Sequence, residues 1–172
     1  MLTAEEIIEL LDLQPLPVEG GYFRQTYRSA DSIPADALPG RFRREKLLCT
    51  AIYYLLTADP DSFSALHRLP TDEIYHYYLG DPVEMLLLYP DGNSAVVRLG
   101  PDLRAGEQVQ FVVPAGVWQG SRLAPGGGFA LLGTTMAPGY AEGDYTGGER
   151  AALSERYPER VQLIRRLTRP IG

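Results

Sequence analysis

A chain of 172 residues with 45% apolar and 22% charged side chains is long enough to bury one sizeable core and too balanced to be disordered or fibrous. Its formal charge of −6 argues against a nucleic-acid partner, because phosphate binding draws on clustered lysine and arginine. No run approaches the roughly 18 apolar residues of a membrane span, and the N-terminus lacks the basic start and apolar centre of a signal peptide. A cytoplasmic protein with no membrane partner is expected.

The opening "TAEE" is a capping box in which Thr3 accepts from the amide of Glu6 and Glu6 reaches back. With Ile7, Leu10 and Leu11 on one stripe, it predicts a helix over 3–12 that ends before Pro15. From about residue 20 to 136 the period changes to two. "GGYFRQTYR" alternates Tyr22, Arg24, Thr26 and Arg28 against Phe23, Gln25 and Tyr27, as a strand with one wet face does. A Pro-rich loop, 29–45, follows, and its basic run "RFRREK" reads as solvated.

The run 47–57 is too apolar for either face to see much water, and its single cysteine, Cys49, is expected to be a small buried hydrophobe. Strand-like stretches then recur at 62–69, 73–79, 83–89, 94–99, 109–113, 117–123 and 129–136. Turn signals such as "YPDGN" and "LAPGGG" separate them. "APGGGFALLG" is a hairpin turn and not a dinucleotide loop, since the third required glycine falls on Leu131. The tail, about 147–168, carries helical spacing around Pro158.

The expected architecture is therefore mainly β: one domain over 1–172, an antiparallel jelly-roll barrel with short N- and C-terminal helices. Within it, "HRLPTDEIYHYYLGD" gathers both histidines. Alternation places Glu73, Tyr75 and Tyr77 on the interior face, and sends His76 outward with Ile74 and Tyr78. His76 then reads as a hydrogen-bonded structural residue, beneath a covering strand or at a subunit contact. An imidazole and an acid aimed inward, His67 and Glu73, are costly without a partner or a ligand. Trp118, next to Gln119, is expected to face outward, beneath a helix or at a subunit contact.

These residues carry a resemblance to the cupin superfamily. Its first motif, His, any residue, His, three or four residues, Glu, six residues, Gly, has counterparts in His67, Leu69, Glu73 and Gly80. Its second, Pro, any residue, Gly, two residues, His, is met by Pro114, Gly116 and Gln119. With "GGYFRQTYRS", "TDEIYHYY", "VPAGVWQ" and "APGYAEGDYTGGERAAL", the whole chain resembles the single-domain cupin-5 family. The resemblance implies the double-stranded β-helix fold and a homodimer built on edge strands.

A metal-binding cupin holds Mn, Fe, Ni or Zn with three imidazoles and a carboxylate, whereas Leu69 and Gln119 stand at two of the imidazole places. No cofactor is expected beyond a weakly bound divalent metal on His67, Glu73 and Gln119. The chain is similar instead to metal-free sugar-epimerase-type cupins, which use an imidazole base and a tyrosine acid. That likeness implies a sugar or sugar-acid-like ligand, with His67 as base, Glu73 orienting it, Tyr75 or Tyr77 as acid, and Arg24, Arg28 and Gln119 contacting the ligand. The other reading is a barrel that binds a small polar molecule without turning it over.

Overall fold

The computed structural model describes residues 2–169, so position 1 and positions 170–172 of the expected domain lie outside the described residues. Helix α1 (Ala4–Leu10) opens the chain with the capping box formed: Glu6 N donates to Thr3 Oγ1 at 3.2 Å, and Thr3 N to Glu6 Oε2 at 2.8 Å. The helix ends at Leu10, a full turn before Pro15, because Asp12 adopts a left-handed φ of 50°. Its apolar face uses Ile7, Ile8 and Leu11, while Leu10 is exposed, contrary to the expected stripe.

Strands β1 (Gln14–Pro15), β2 (Tyr22–Arg28), β3 (Ser32–Ile33), β4 (Lys46–Leu47) and β5 (Thr50–Thr57) follow in order. The core continues with β6 (Ser64–Arg68), β7 (Glu73–Gly80), β8 (Val83–Leu88), β9 (Ser94–Leu99), β10 (Gln110–Val113), β11 (Trp118–Leu123) and β12 (Phe129–Met136). A last short strand, β13 (Thr146–Gly147), precedes α2 (Arg150–Arg156) and α3 (Val161–Arg166). Two antiparallel sheets face each other, one ordered β1-β2-β5-β12-β7-β10 and the other β13-β6-β11-β8-β9.

The interior between the sheets is filled by alternate residues of both: Tyr54, Leu56, Tyr75 and Leu132 from one, Val83, Met85 and Leu87 from the other. Alternate faces of β8 explain why "VEMLLL" reads as a near-continuous apolar run. Met85 and Leu87 point into the barrel, and Leu86 and Leu88 pack with Leu153, Tyr157 and Ile164 of the C-terminal helical segment. Trp118 joins that outer layer, so it is core beneath helices, with the Arg68 guanidinium 4.8 Å from its ring centroid. On the opposite outer face α1 covers Leu55 and Leu131.

Three register irregularities interrupt the ladders, one of them between β11 and β6 after Gln119, and the other two, in β2 and β7, bear on the expected site. In β2 the register with β5 slips between Gln25 and Tyr27, and in β7 the register with β12 slips so that Tyr77 and Leu79 pair with Leu132 and Leu131. The bulge in β2 overturns part of the expected site. Arg24 pairs with Tyr53 and Arg28 with Thr50, neighbours of opposite facing on β5, so the two arginines do not share a face.

The basic run 41–46 departs from expectation in part: Arg41, Arg43, Arg44 and Glu45 are exposed, but Phe42 is 6% and Lys46 only 1% exposed. Lys46 is held by an ion pair with Asp144, which anchors the basic run to the segment before β13. Cys49 is half-buried rather than fully buried. Among the described residues no helix is long and apolar enough to cross a membrane.

Candidate functional site

Strand β6 lies between β13 and β11, and His67, alternating with the outward Leu66, projects into the barrel from it. The ring is 1% exposed, and its Nδ1 lies 2.8 Å from the Ala65 carbonyl oxygen, a geometry in which Nδ1–H donates. In the neutral imidazole, Nε2 is then the acceptor. Tyr145, the residue before β13, stacks on this ring with centroids 5.0 Å apart and planes 20° from parallel.

Glu73 enters from the other sheet, at the first position of β7, and is 6% exposed. Its carboxylate accepts from Gln119 Nε2 at 2.7 Å. Burial pushes its carboxyl up from the ordinary value, and attraction to His67 works in the opposite direction. Gln119 is the cross-strand partner of His67, which brings its amide to the acid. Its Oε1 is buried without a hydrogen-bond partner among the described residues.

His67 and Glu73 open onto a cavity of about 680 Å³ whose wall also includes Leu69, Thr134, Tyr140 and Tyr145. Its rim is built by the segment between α1 and β2, which brings Asp12, Gln14, Val18 and Glu19 to it. That segment is strained: Val18, β-branched, sits at φ 68°, a conformation that costs on the order of 1–3 kcal/mol and that persists only where the surroundings impose it. The turn that follows needs glycine at Gly20. Its φ is +104°, and a Cβ there would fall 2.3 Å from the Phe63 carbonyl oxygen. This close approach sets Glu19 beside β6, where Ser64 Oγ donates to Glu19 Oε1 at 2.8 Å.

Of the residues expected at the site, His67, Glu73 and Arg24 line the cavity. Arg24 does so from the exposed rim, its guanidinium 5.6 Å from the Tyr53 ring centroid. Gln119 stands behind Glu73 and does not form the wall. Three expectations need correction. Tyr75 faces inward but is 2% exposed within the core, where burial and then the charge of Glu73 push its phenol well up. Tyr77 packs against the same core and donates to the Gly80 carbonyl, away from the cavity wall. Arg28 is also absent from the wall, although its cross-strand partner Thr50 lines it.

Among the wall residues that sequence reasoning missed, Glu19, Tyr140 and Tyr145 lie on irregular segments with no period to read. The one signal was the cluster of charged and tyrosine residues in "GYAEGDY". His76 lies on the outer face as alternation implies, with Nε2 3.2 Å from Thr135 Oγ1 and Nδ1 3.2 Å from Gln110 Nε2.

The family model for the cupin superfamily (DUF985) matches residues 5–147. The chain belongs to this cupin family. It is 33% identical over 136 residues to the uncharacterized protein YML079W of Saccharomyces cerevisiae, covering 74% of this chain and 67% of that one. Protein SO0799 from Shewanella oneidensis superposes with a TM-score of 0.86 at 32% identity, covering 99% of this cupin and 100% of that chain. A hypothetical protein from Leishmania major gives 0.86 at 31%, covering 98% and 100%. Oxalate decarboxylase from Bacillus subtilis, at 14% identity, a TM-score of 0.52 and coverage of 91% and 37%, shares the fold alone.

Cupins of the metal-binding type imply a metal here, and the donors do not fit one. Leu69, on the cavity wall, offers hydrocarbon where that motif has an imidazole, and the Gln119 amide is already engaged with Glu73. Among the described residues no three His, Cys, Asp or Glu side chains come together as a metal-binding group.

Proposed function

We propose that this cupin binds a small neutral hydroxylated molecule of sugar type in the barrel cavity, and that His67 is the proton acceptor facing it. The observation that carries this reading is the fixed imidazole. With Nδ1 committed to Ala65 O, the neutral ring offers Nε2, which has no protein partner among the described residues, to whatever occupies the cavity. The wall charges narrow the ligand class. Asp12, Glu19 and Glu73 stand against Arg24, so a sugar acid meets net repulsion and a neutral polyol does not.

In a proton-transfer reaction, His67 Nε2 takes a proton from a carbon next to a carbonyl, and the ionised form of Glu73 stabilises the imidazolium. The returning acid is Tyr145 or Tyr140 rather than Tyr75 or Tyr77. Burial, followed by the charge of Glu19 for Tyr145 and of Asp144 for Tyr140, keeps both phenols protonated. One observation favours the second reading, a non-catalytic binding module: Tyr145 stacks on His67, so those two groups do not flank a ligand from opposite sides.

The test begins with a thermal-shift screen of neutral monosaccharides on the unmodified protein. Any hit is then incubated in D₂O and followed by proton NMR. Deuterium entering the ligand supports catalysis, and saturable binding without exchange supports the binding module. His67→Ala is expected to abolish either signal at a nearly unchanged melting temperature, whereas His76→Ala keeps it and costs about 1 kcal/mol of stability. The reverse pattern places the site on the outer face of β7 and defeats the proposal.

A further inference from the structure

We propose that a second concavity, adjoining the barrel cavity at Leu69, is a binding site for a phosphate-bearing small molecule. Its volume is about 440 Å³, within the roughly 300–1,000 Å³ typical of small-molecule sites. Four arginines line it, Arg41, Arg43, Arg44 and Arg68, together with Lys46. The one acid on its wall, Asp144, is already neutralised by the ion pair with Lys46. An excess of four guanidinium charges therefore faces one hollow, in a chain whose formal charge is −6.

Three of the guanidinium groups are held in place without being used up. Arg41 spends Nε on the Pro70 carbonyl, at 2.8 Å, and keeps its terminal nitrogens. Arg44 gives one nitrogen to the Glu142 carbonyl. Arg68 lies over the Trp118 ring, a cation–π contact, and its guanidinium N–H groups donate to no protein acceptor among the described residues. Arg43 has no hydrogen bond or ion pair among the described residues. Phe42, buried beneath the run with the Arg41 guanidinium 4.7 Å from its ring centroid, fixes the loop that carries them.

Four arginines around one hollow exceed what a single carboxylate can accept, whereas a phosphoryl group offers a double charge and three acceptor oxygens. The concave form and the acidic remainder of the chain favour a small anion over a polynucleotide, which needs an extended basic surface.

The experiment is calorimetric titration of the full chain with inorganic pyrophosphate at low ionic strength. One site per chain is expected, with affinity falling as sodium chloride is added. Arg43→Ala, which removes a side chain with no hydrogen bond or ion pair to lose among the described residues, is expected to weaken binding about tenfold, and Arg68→Ala similarly. Arg104→Ala, an exposed arginine outside the hollow, should leave it unchanged. No heat up to millimolar pyrophosphate overturns the proposal, as does equal affinity in wild type and the Arg43→Ala/Arg68→Ala double variant. An oligonucleotide that binds through these arginines and is not displaced by pyrophosphate also overturns it, in favour of a polyanion surface.

Discussion

Gln119 donates its amide to the carboxylate of Glu73 across the barrel interior at 2.7 Å, with both side chains buried. In the metal-binding pattern these two positions converge on one ion. Here the amide hydrogen occupies the carboxylate instead, and the pair forms a neutral-to-anionic hydrogen bond beside His67. The pair sets the charge at the head of the cavity, and that charge depends on pH.

Burial raises the Glu73 carboxyl above its ordinary value of 4.5, so the folded chain keeps a proton over a range in which the unfolded chain has lost it. By linkage, this group's contribution to stability is full below about pH 4.5, declines as pH rises towards the folded value, and is level above it. Glu73→Gln removes the titration. The stability of Glu73→Gln relative to wild type should therefore increase with pH from near 4.5 and then plateau. Urea unfolding of both proteins at pH 4.5, 6 and 8 measures it. A difference that falls with pH would mean that attraction to His67, and not burial, controls the carboxyl.

The donors at the cavity also make a prediction about metal. Purified without chelator, the protein should contain well under one divalent ion per chain, and chelator should leave its melting temperature unchanged. Leu69 lies on the cavity wall and Gln119 opposite His67. Leu69→His with Gln119→His should therefore supply two imidazoles and raise zinc or nickel affinity by at least a factor of about 10. Stoichiometric metal in the unmodified protein would contradict this account, and no gain in the double variant would mean that these side chains do not share a centre.

The fold was legible because period-two alternation, turn residues and a capping box act locally, and the structure follows them except where bulges interrupt β2 and β7. His67 and Glu73 were legible for the same reason. What alternation could not give was distance along the barrel: Tyr75 and Tyr77 do face inward, but at levels where aliphatic side chains of both sheets already fill the space. Nor could it give the bulge in β2, one extra residue that changes no composition and separates Arg28 from the face of Arg24. Glu19, Tyr140 and Tyr145 come from irregular segments, whose placement depends on long-range contacts such as Ser64 to Glu19 and Lys46 to Asp144.

Assembly follows from an uncovered edge. Strand β1 pairs only with Tyr22 and Phe23 of β2, so residues 24–28 lack a strand on that side among the described residues, and Tyr27 is 53% exposed. Open edges of this kind are normally covered. We expect a homodimer that pairs this edge with its symmetry mate, visible by light scattering as twice the chain mass at micromolar concentration. Tyr27→Lys should shift the equilibrium towards monomer. A monomer mass for the unmodified protein at every concentration would rule the dimer out.

The ion pair between Lys46 and Asp144 links the basic run to the segment that carries Tyr140 and Tyr145, and the two side chains are 1% and 7% exposed. Asp144 Oδ2 also accepts from the Ala141 amide at 2.8 Å, which closes that segment on itself. Removing the acid leaves an ammonium buried without its counter-charge, a change that typically costs about 3–5 kcal/mol. Asp144→Ala should therefore be strongly destabilising in urea unfolding. Lys46→Met should cost less, because the carboxylate left behind keeps the Ala141 amide. The apolar pair Lys46→Met with Asp144→Leu should recover most of the loss, since apolar replacements of buried pairs are often close to neutral. Loosening this anchor also frees Tyr145 from the His67 ring, so ligand binding should weaken in Asp144→Ala even at temperatures where the protein remains folded. If Asp144→Ala costs less than about 1 kcal/mol, water reaches Lys46 in solution and the pair does not pin the cavity wall.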